Sequence, residues 1–209
     1  RSEGISLAEK QEATKILLSC GARIHEINTI RKHLSLIKGG GLAKAAFPAT
    51  IISLILSDVV GDDLDIIASG LTVPDTGTFK ECKDIIESYN IAKKLPKNVL
   101  DHINIGCAGK VCETPKPFDP YFKRVHNIII GNNFNTLVKA KAKAQSLGYN
   151  TIILSSLIEG ETREIAKMHS AIAKEILKTG NPVPLPGCII SGGETIVTMN
   201  NHGLGGRNQ

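Results

Sequence analysis

The sequence predicts an α/β protein built from parallel-sheet layers with flanking helices. Three observations carry this expectation. Isoleucine-rich runs are short and bounded by turn residues, which suits buried parallel strands. Between them lie segments with apolar residues at helical spacing, opened by capping boxes and closed by glycines. Aromatic residues make up only 4% of the chain and Trp is absent, so the core is aliphatic.

In order, Ser6-Leu7-Ala8-Glu9 is a capping box for a helix to about Cys20, with Gly21 as its stop. Residues 24–37 read as a second helix, with Ile24, Ile27, Ile30 and Leu34 on one face and Arg31, Lys32, His33 and Lys38 flanking it. After Gly39-Gly40-Gly41, a short helix is expected over Leu42–Ala46, before Pro48. Ile51–Leu56 is read as a buried strand. Thr78-Phe79-Lys80-Glu81 is a second capping box, for a helix to about Tyr89, and Pro96 opens another over 96–103. Residues 104–126, with Pro115, Pro117 and Pro120, are irregular and are the candidate for a long surface excursion or a domain boundary. A βαβ unit follows: strand Asn127–Ile130, loop Gly131-Asn132-Asn133, helix 134–147 and strand Thr151–Leu154. A loop at Ser155–Gly160 leads into a helix at 161–179, with Ile165, Met168, Ile172 and Ile176 on one face. The chain closes with strands at 188–191 and 195–199 around a Gly192-Gly193 turn, then a glycine-rich loop.

The 209 residues suffice for one large domain or two small ones. The net charge of +5 is spread out, with no block of five like charges, so acidic small molecules fit better than DNA. The five cysteines are odd in number, and Cys107 with Cys112 is a weak zinc signal, so reduced thiols and a cytoplasmic setting are expected. No apolar run approaches the roughly 20 residues of a membrane span. The sequence begins with Arg1 and stops two residues after Arg207, which suggests a piece of a larger protein.

Four stretches could carry chemistry. Asp58, Asp62, Asp63 and Asp65 follow the first strand, where α/β sheets place their ligands. They could hold Mg²⁺ or act as a base, or Asp62 and Asp63 could simply cap a helix starting at Leu64. Arg31 and Lys38, seven apart, would share a helix face and could hold a phosphate, or could be the basic edge of an amphipathic helix. Gly131-Asn132-Asn133 forms an anion-accepting corner, though any βα turn needs something similar. Glu194, after Gly192-Gly193, could meet a metal or a ribose hydroxyl. Gly205-Gly206-Arg207-Asn208 combines close backbone approach with a planar cation. The alternative for this last stretch is a plain hairpin with a glycine-rich turn. No P-loop, no dinucleotide fingerprint and no protein-kinase motif set occurs. These residues point to a phosphate- or carboxylate-handling enzyme and leave the reaction open.

Several of these stretches, in register, resemble the glycerate 2-kinase family, whose members carry the MOFRL domain. They are Arg31-Lys32-His33-Leu34-Ser35, Lys38-Gly39-Gly40, Leu56-Ser57-Asp58 through Asp63, Ala68-Ser69-Gly70, Pro74-Asp75, Ser191 to Glu194 and Gly205 to Gln209. The resemblance implies two α/β domains with the active site in an interdomain cleft. Residues 1–122 would be the C-terminal part of the first domain and 123–209 the start of the second, with MOFRL beginning near 185. It implies Mg²⁺-assisted transfer of the ATP γ-phosphate to the 2-hydroxyl of D-glycerate. Arg207 and Asp58 would be catalytic. Arg31, Lys38, Gly131, Asn132, Gly192, Gly193, Glu194, Gly205, Gly206 and Asn208 would bind substrate or nucleotide. Asp62 and Glu194 would face the metal. Neither nucleic acid nor membrane is an expected partner, and a homodimer is among the expectations. An NAD(P)H-dependent hydroxypyruvate reductase and a non-catalytic nucleotide or small-acid sensor are the alternatives. Gly41 stands where the family often has Arg, Leu71 where it has Pro, and Ile196 where it has Thr. The family's N-terminal portion and most of MOFRL have no counterpart in these residues, so residues 1–209 alone are expected to be inactive.

Overall fold

The computed structural model describes residues 4–198. The sequence-predicted Arg207, Gly205, Gly206 and Asn208 lie outside them. The chain divides into two compact units. The first comprises the residues up to Leu54 together with Leu64–Ile128, and the second comprises Ile55–Asp63 together with the residues from Ile129 onward.

Helices dominate the first unit: α1 (Leu7–Ser19), α2 (Ile24–His33), α3 (Gly41–Ala46), α4 (Phe79–Ser88) and α5 (Lys97–Cys107). Both expected capping boxes form. The Ser6 N–H donates to Glu9 Oε2 at 2.7 Å and the Glu9 N–H to Ser6 Oγ at 3.2 Å, and Thr78 and Glu81 repeat the pattern. At the start of α2 the Arg23 N–H donates to Glu26 at 2.7 Å, a contact the sequence reading missed because Arg is not a capping residue. Leu17, Ile27, Ile30, Phe79, Ile86, Val99 and Ile103 from α1, α2, α4 and α5 meet in one core with Leu34, the residue that ends α2. Each such side chain stabilises the fold by about 1.5–3 kcal/mol through removal from water.

A polar cluster lies beside this core. The Lys32 ammonium, on α2, is 4% exposed and lies 2.5 Å from Asp65 Oδ2 and 3.2 Å from Asp75 Oδ1. Asp75 also accepts from the Thr114 hydroxyl at 2.8 Å and from the Gly77 N–H at 3.2 Å. His33 donates Nδ1–H to the Thr29 carbonyl at 2.8 Å, and its Nε2 faces Glu113 at 2.9 Å. The other Glu113 oxygen accepts the first N–H of α4, from Phe79, at 2.9 Å. Lys32 and His33, expected to flank the apolar stripe of α2, are therefore buried anchors.

The strands are β1 (Ile51–Leu56), β2 (Val125–Gly131), β3 (Asn150–Glu161) and β4 (Gly187–Ile196), with α6 (Asn133–Ser146) and α7 (Thr162–Thr179) between the later ones. Among the described residues, β1 pairs with β2, and β3 pairs in parallel with β4 across the α7 crossover. The fold is mixed α/β with parallel strands and flanking helices, as the sequence predicts. No helix among the described residues is long and apolar enough to cross a membrane.

Several local expectations are corrected. The parallel βαβ unit with paired strands is β3–α7–β4; β2 and β3 belong to different sheets. Ser155–Gly160 is not a loop, because β3 continues through it along β4, with register shifts between Ile153 and Ser155 and between Ser155 and Ile158. Gly192-Gly193 does not turn the chain. β4 runs straight through it, with Gly193 opposite Ile158 and Glu194 opposite Glu159. No helix starts at Leu64, so Asp62 and Asp63 cap none. Helix α2 stops at His33 and not at 37, because the Gly39 and Gly40 N–H groups are drawn to the Ser69 and Gly70 carbonyls at 3.0 and 2.7 Å. Helix α5 continues to Cys107, and a short 3₁₀ turn covers Pro120–Arg124 in the stretch expected to be irregular. Finally, β1 is not a buried strand: one face is half-buried and the other exposed, with Ile52, Leu54 and Leu56 at 66, 63 and 73% exposure.

Two predictions follow from this packing. Replacing Lys32 with Met strands the buried Asp75 charge and costs about 3–5 kcal/mol of stability, read as a lower urea midpoint at constant m. Adding Asp75→Asn recovers part of the loss. Burial, reinforced by the Asp75 and Glu113 carboxylates, pushes the Cys82 thiol far above its ordinary range, while Cys107 and Cys112 are exposed. A thiol reagent at pH 8 is therefore expected to label Cys107 and Cys112 in the native protein and Cys82 only after unfolding.

Candidate active site

In the second unit the polar groups gather where β1, β2 and β4 lead out of their strands. The ladder between β1 and β2 extends past β1, with the Ser57 N–H donating to the Gly131 carbonyl at 2.9 Å. Asp58 follows and is exposed. Asp62, held at φ 58°, accepts the Asn132 side-chain amide at 2.6 Å. Asn132 is also the N-cap of α6, its carbonyl oxygen Oδ1 accepting from the Asn135 N–H at 2.9 Å. One side chain thus caps the helix and ties it to the aspartate loop. The cap leaves the first turn of a 14-residue helix beside Gly131, where backbone N–H groups favour an anion.

Asn133 donates to the Ser156 carbonyl at 2.8 Å. Gly192 packs so closely on it that an added Cβ would lie 2.8 Å from the Asn133 amide carbon. Glycine leaves room there for the Asn133 side chain and does not form the turn predicted from its sequence. Next to it, Ser191 Oγ lies 2.7 Å from His169 Nε2. His169 gives its Nδ1–H to the Ile165 carbonyl at 2.8 Å. In the neutral imidazole this leaves Nε2 as the acceptor, to which the Ser191 hydroxyl donates. The structure therefore brings Asp62, Gly131, Asn132, Gly192 and Gly193 into one neighbourhood and adds Asn133, Ser191 and His169. His169 was legible in one respect: it sits four residues after Ile165 and three before Ile172, a polar residue on the inward stripe of α7.

Glu194 projects from the exposed end of β4. Among the described residues no three His, Cys, Asp or Glu side chains converge to hold a metal ion. Asp62 and Glu194 do not make a ready cation cage. A lone carboxylate such as Asp62 still fits Mg²⁺, which commonly takes one or two protein carboxylates and completes its shell with water and substrate phosphates.

The first unit holds the other predicted pair. Arg31 and Lys38 line one cavity, but not as neighbours on a helix, since α2 ends between them. Lys38 Nζ donates to the Ala68 carbonyl at 2.7 Å and to Ser69 Oγ at 3.3 Å. Ser69 in turn donates to Asn28 Oδ1 at 3.1 Å, and Arg31 Nη1 reaches the same oxygen at 3.4 Å. Burial lowers the Lys38 ammonium below the usual lysine range, and the charges of Arg31 and Lys10 act in the same direction.

Known proteins similar to this chain share one activity in their names. The chain is 45% identical over 208 residues to the glycerate 2-kinase of Pyrococcus horikoshii and 39% identical over 209 residues to the D-glycerate 2-kinase of Thermotoga maritima. Each match covers 99% of this chain and 46% of the relative. Nearly the whole chain is thus similar to part of these glycerate kinases. Residues 1–104 also match the family described as a domain of unknown function, DUF4147. The crystal structure of the Thermotoga maritima glycerate kinase superposes with a TM-score of 0.80 at 40% identity, covering 99% of this chain and 47% of that one. The chain spans about half the length of the curated relatives it matches. In this chain, Asn132 holds the aspartate loop and Asn133 packs against Gly192 in the Ser191-Gly192-Gly193 strand.

The Gly192–Asn133 contact is directly testable. Gly192→Ala is expected to displace Asn133 from Ser156 and cost about 1–3 kcal/mol, measured by urea unfolding. Stability equal to wild type would show that Asn133 yields freely and that the contact constrains nothing.

Proposed function

We propose that the protein containing this chain is a glycerate 2-kinase, transferring the γ-phosphoryl group of ATP to the 2-hydroxyl of D-glycerate. The observation that carries this reading is the 39–45% identity, over 99% of the chain, to two relatives named glycerate 2-kinase. The site geometry supports it. Phosphoryl transfer needs positioning and charge neutralisation more than covalent chemistry from the protein. The capped start of α6 beside Gly131 and Asn132 offers N–H groups to phosphate oxygens. Asp62 holds the Asn132 amide so that this corner is preorganised. Asp58, exposed after β1, takes the proton of the glycerate hydroxyl as its oxygen bonds to phosphorus and the bond to the ADP oxygen breaks. Arg207 neutralises charge on the transferring group, with Gly205, Gly206 and Asn208 around it. Arg31 and Lys38 supply further cations for anionic substrate groups.

Mg²⁺ enters as the partner of the ATP phosphates, supplying charge neutralisation when bound, with Asp62 and Glu194 as the carboxylates nearest in role. A reducing cytoplasmic setting is part of the proposal and is supported by Cys20, Cys82, Cys107, Cys112 and Cys188, none of which forms a disulfide. Assembly as a homodimer is a further part of it.

Incubating the full-length protein with ATP, Mg²⁺ and D-glycerate should yield 2-phosphoglycerate, identified by NMR, with no NADH oxidation when hydroxypyruvate is offered. Formation of 3-phosphoglycerate, or no product, would sink the reading. In the same assay Arg207→Ala should lower kcat by roughly 10²–10³, the effect of losing one preorganised donor to developing charge.

A further inference from the structure

Another cavity in the first unit, of about 540 Å³, is lined by α3, α5, the chain just after α2 and residues 111–115. That is the size of pockets that enclose a small organic ligand. Most of its charged groups are already engaged. Lys32 is matched by two aspartates, and Lys38 rests on the Ala68 carbonyl and Ser69 Oγ. Glu113 accepts the Phe79 N–H and faces His33 Nε2, both at 2.9 Å, with the Lys116 ammonium 3.6 Å away. Lys44, on α3, differs. It lines the same cavity, is exposed, and pairs with no carboxylate among the described residues.

One neutral polar group is open as well. His102 Nε2–H donates to the His33 carbonyl at 3.0 Å. In the neutral imidazole this leaves Nδ1 as an acceptor, and no described residue donates to it. Among the described residues no buried side-chain nitrogen or oxygen lacks a partner, so this nitrogen is accessible to solvent. Much of the remaining lining is apolar. Leu36 and Ile105 stand 63 and 44% exposed, while Phe79 and Val111, also in the lining, pack on the core. A ligand's apolar body would take those two aliphatic side chains out of water.

These features select a ligand chemistry. One open ammonium matches one anionic group, the imidazole nitrogen an N–H or O–H donor, and the aliphatic wall an apolar body. We propose that this cavity binds a small amphipathic acid, whose acid group pairs with Lys44, whose N–H or O–H donates to His102 Nδ1, and whose apolar body covers Leu36 and Ile105. Neither reactant of the proposed kinase fits this description. D-Glycerate has no apolar body, and ATP carries more charge than one open cation matches.

Two cysteines supply the readout. Cys107 and Cys112 are both exposed, but only Cys112 lines the cavity. The probe is anilinonaphthalene sulfonate, which combines aromatic rings, one N–H and one sulfonate. It is titrated into the full-length protein while iodoacetamide alkylation of each cysteine is followed by peptide mass spectrometry. At about ten times its dissociation constant the probe leaves roughly a tenth of the sites open, so alkylation of Cys112 should slow roughly tenfold and that of Cys107 should not change. Lys44→Glu, at an exposed position, should need roughly tenfold more probe for the same protection, while Lys80→Glu, exposed on α4, should match wild type. Phenylnaphthylamine, with the same rings and N–H but no sulfonate, should also need roughly tenfold more. The analogue is measured on the unaltered protein, so its result stands however the variant folds. The proposal is overturned if the probe leaves Cys112 alkylation unchanged or slows both cysteines equally. It is equally overturned if Lys44→Glu is protected as readily as wild type, or if the uncharged analogue protects as well as the sulfonate.

Discussion

The first unit depends on one buried ammonium. Lys32 draws Asp65 and Asp75 to a single point from loops that share no helix or strand with it. Desolvating Lys32 and Asp75 is costly, and their attraction, with the half-exposed Asp65 as a second partner, offsets that cost only because the remaining Asp75 oxygen is also used. Asp75 meets this condition with Thr114 and Gly77, and its own N–H is bound to the Pro115 carbonyl at 2.9 Å. The cluster therefore pins residues 65–77 and 113–116 against α2. Gly39 belongs to the same arrangement. A Cβ there would lie 3.2 Å from the Cβ atoms of both Lys32 and Asp75, so the chain after α2 can approach only as glycine.

That pinning has a chemical consequence. With Asp65 and Asp75 engaged by Lys32, Lys38 rests on neutral oxygens in the next turn of the same segment. Two lysines six residues apart thus have opposite roles. One is a compensated structural charge. The other keeps its positive character facing a cavity that it shares with Arg31. Telling them apart requires knowing which carboxylates lie within reach, and those are 27 to 43 residues away from Lys38 and Lys32 in sequence.

The second unit solves a different problem with the same economy of contacts. Its site is assembled from chain segments that meet beyond the strands, so each side chain there must do two things. Asn132 caps α6 and holds Asp62. Asn133 fastens the start of α6 to β3 through the Ser156 carbonyl, and the bare backbone of Gly192 makes room for it. His169 crosses from α7 to orient the Ser191 hydroxyl on β4. The corner is rigid because its polar groups satisfy one another, which is what electrostatic preorganisation requires.

Much of this was legible in the residues. The capping boxes at Ser6 and Thr78, the glycine stop at Gly180 and the apolar stripe of α7 depend on neighbours within a few positions, so local chemistry determined them. So did the recurrence of family motifs in register, and with it the α/β class. The errors share a cause. Ser155–Gly160 and Gly192-Gly193 look like loops because they are polar or bare, yet they form strands because β3 and β4 supply each other's hydrogen bonds. Lys32 and His33 read as flanks of an apolar stripe because they are charged or polar, yet they are buried because Asp65, Asp75 and Glu113 arrive from distant loops to receive them. By itself the sequence determined which segments are helical, where they begin and which residue types could handle an anion. Only the tertiary structure decided which strands pair and which charges are compensated, because both depend on partners that no local pattern names.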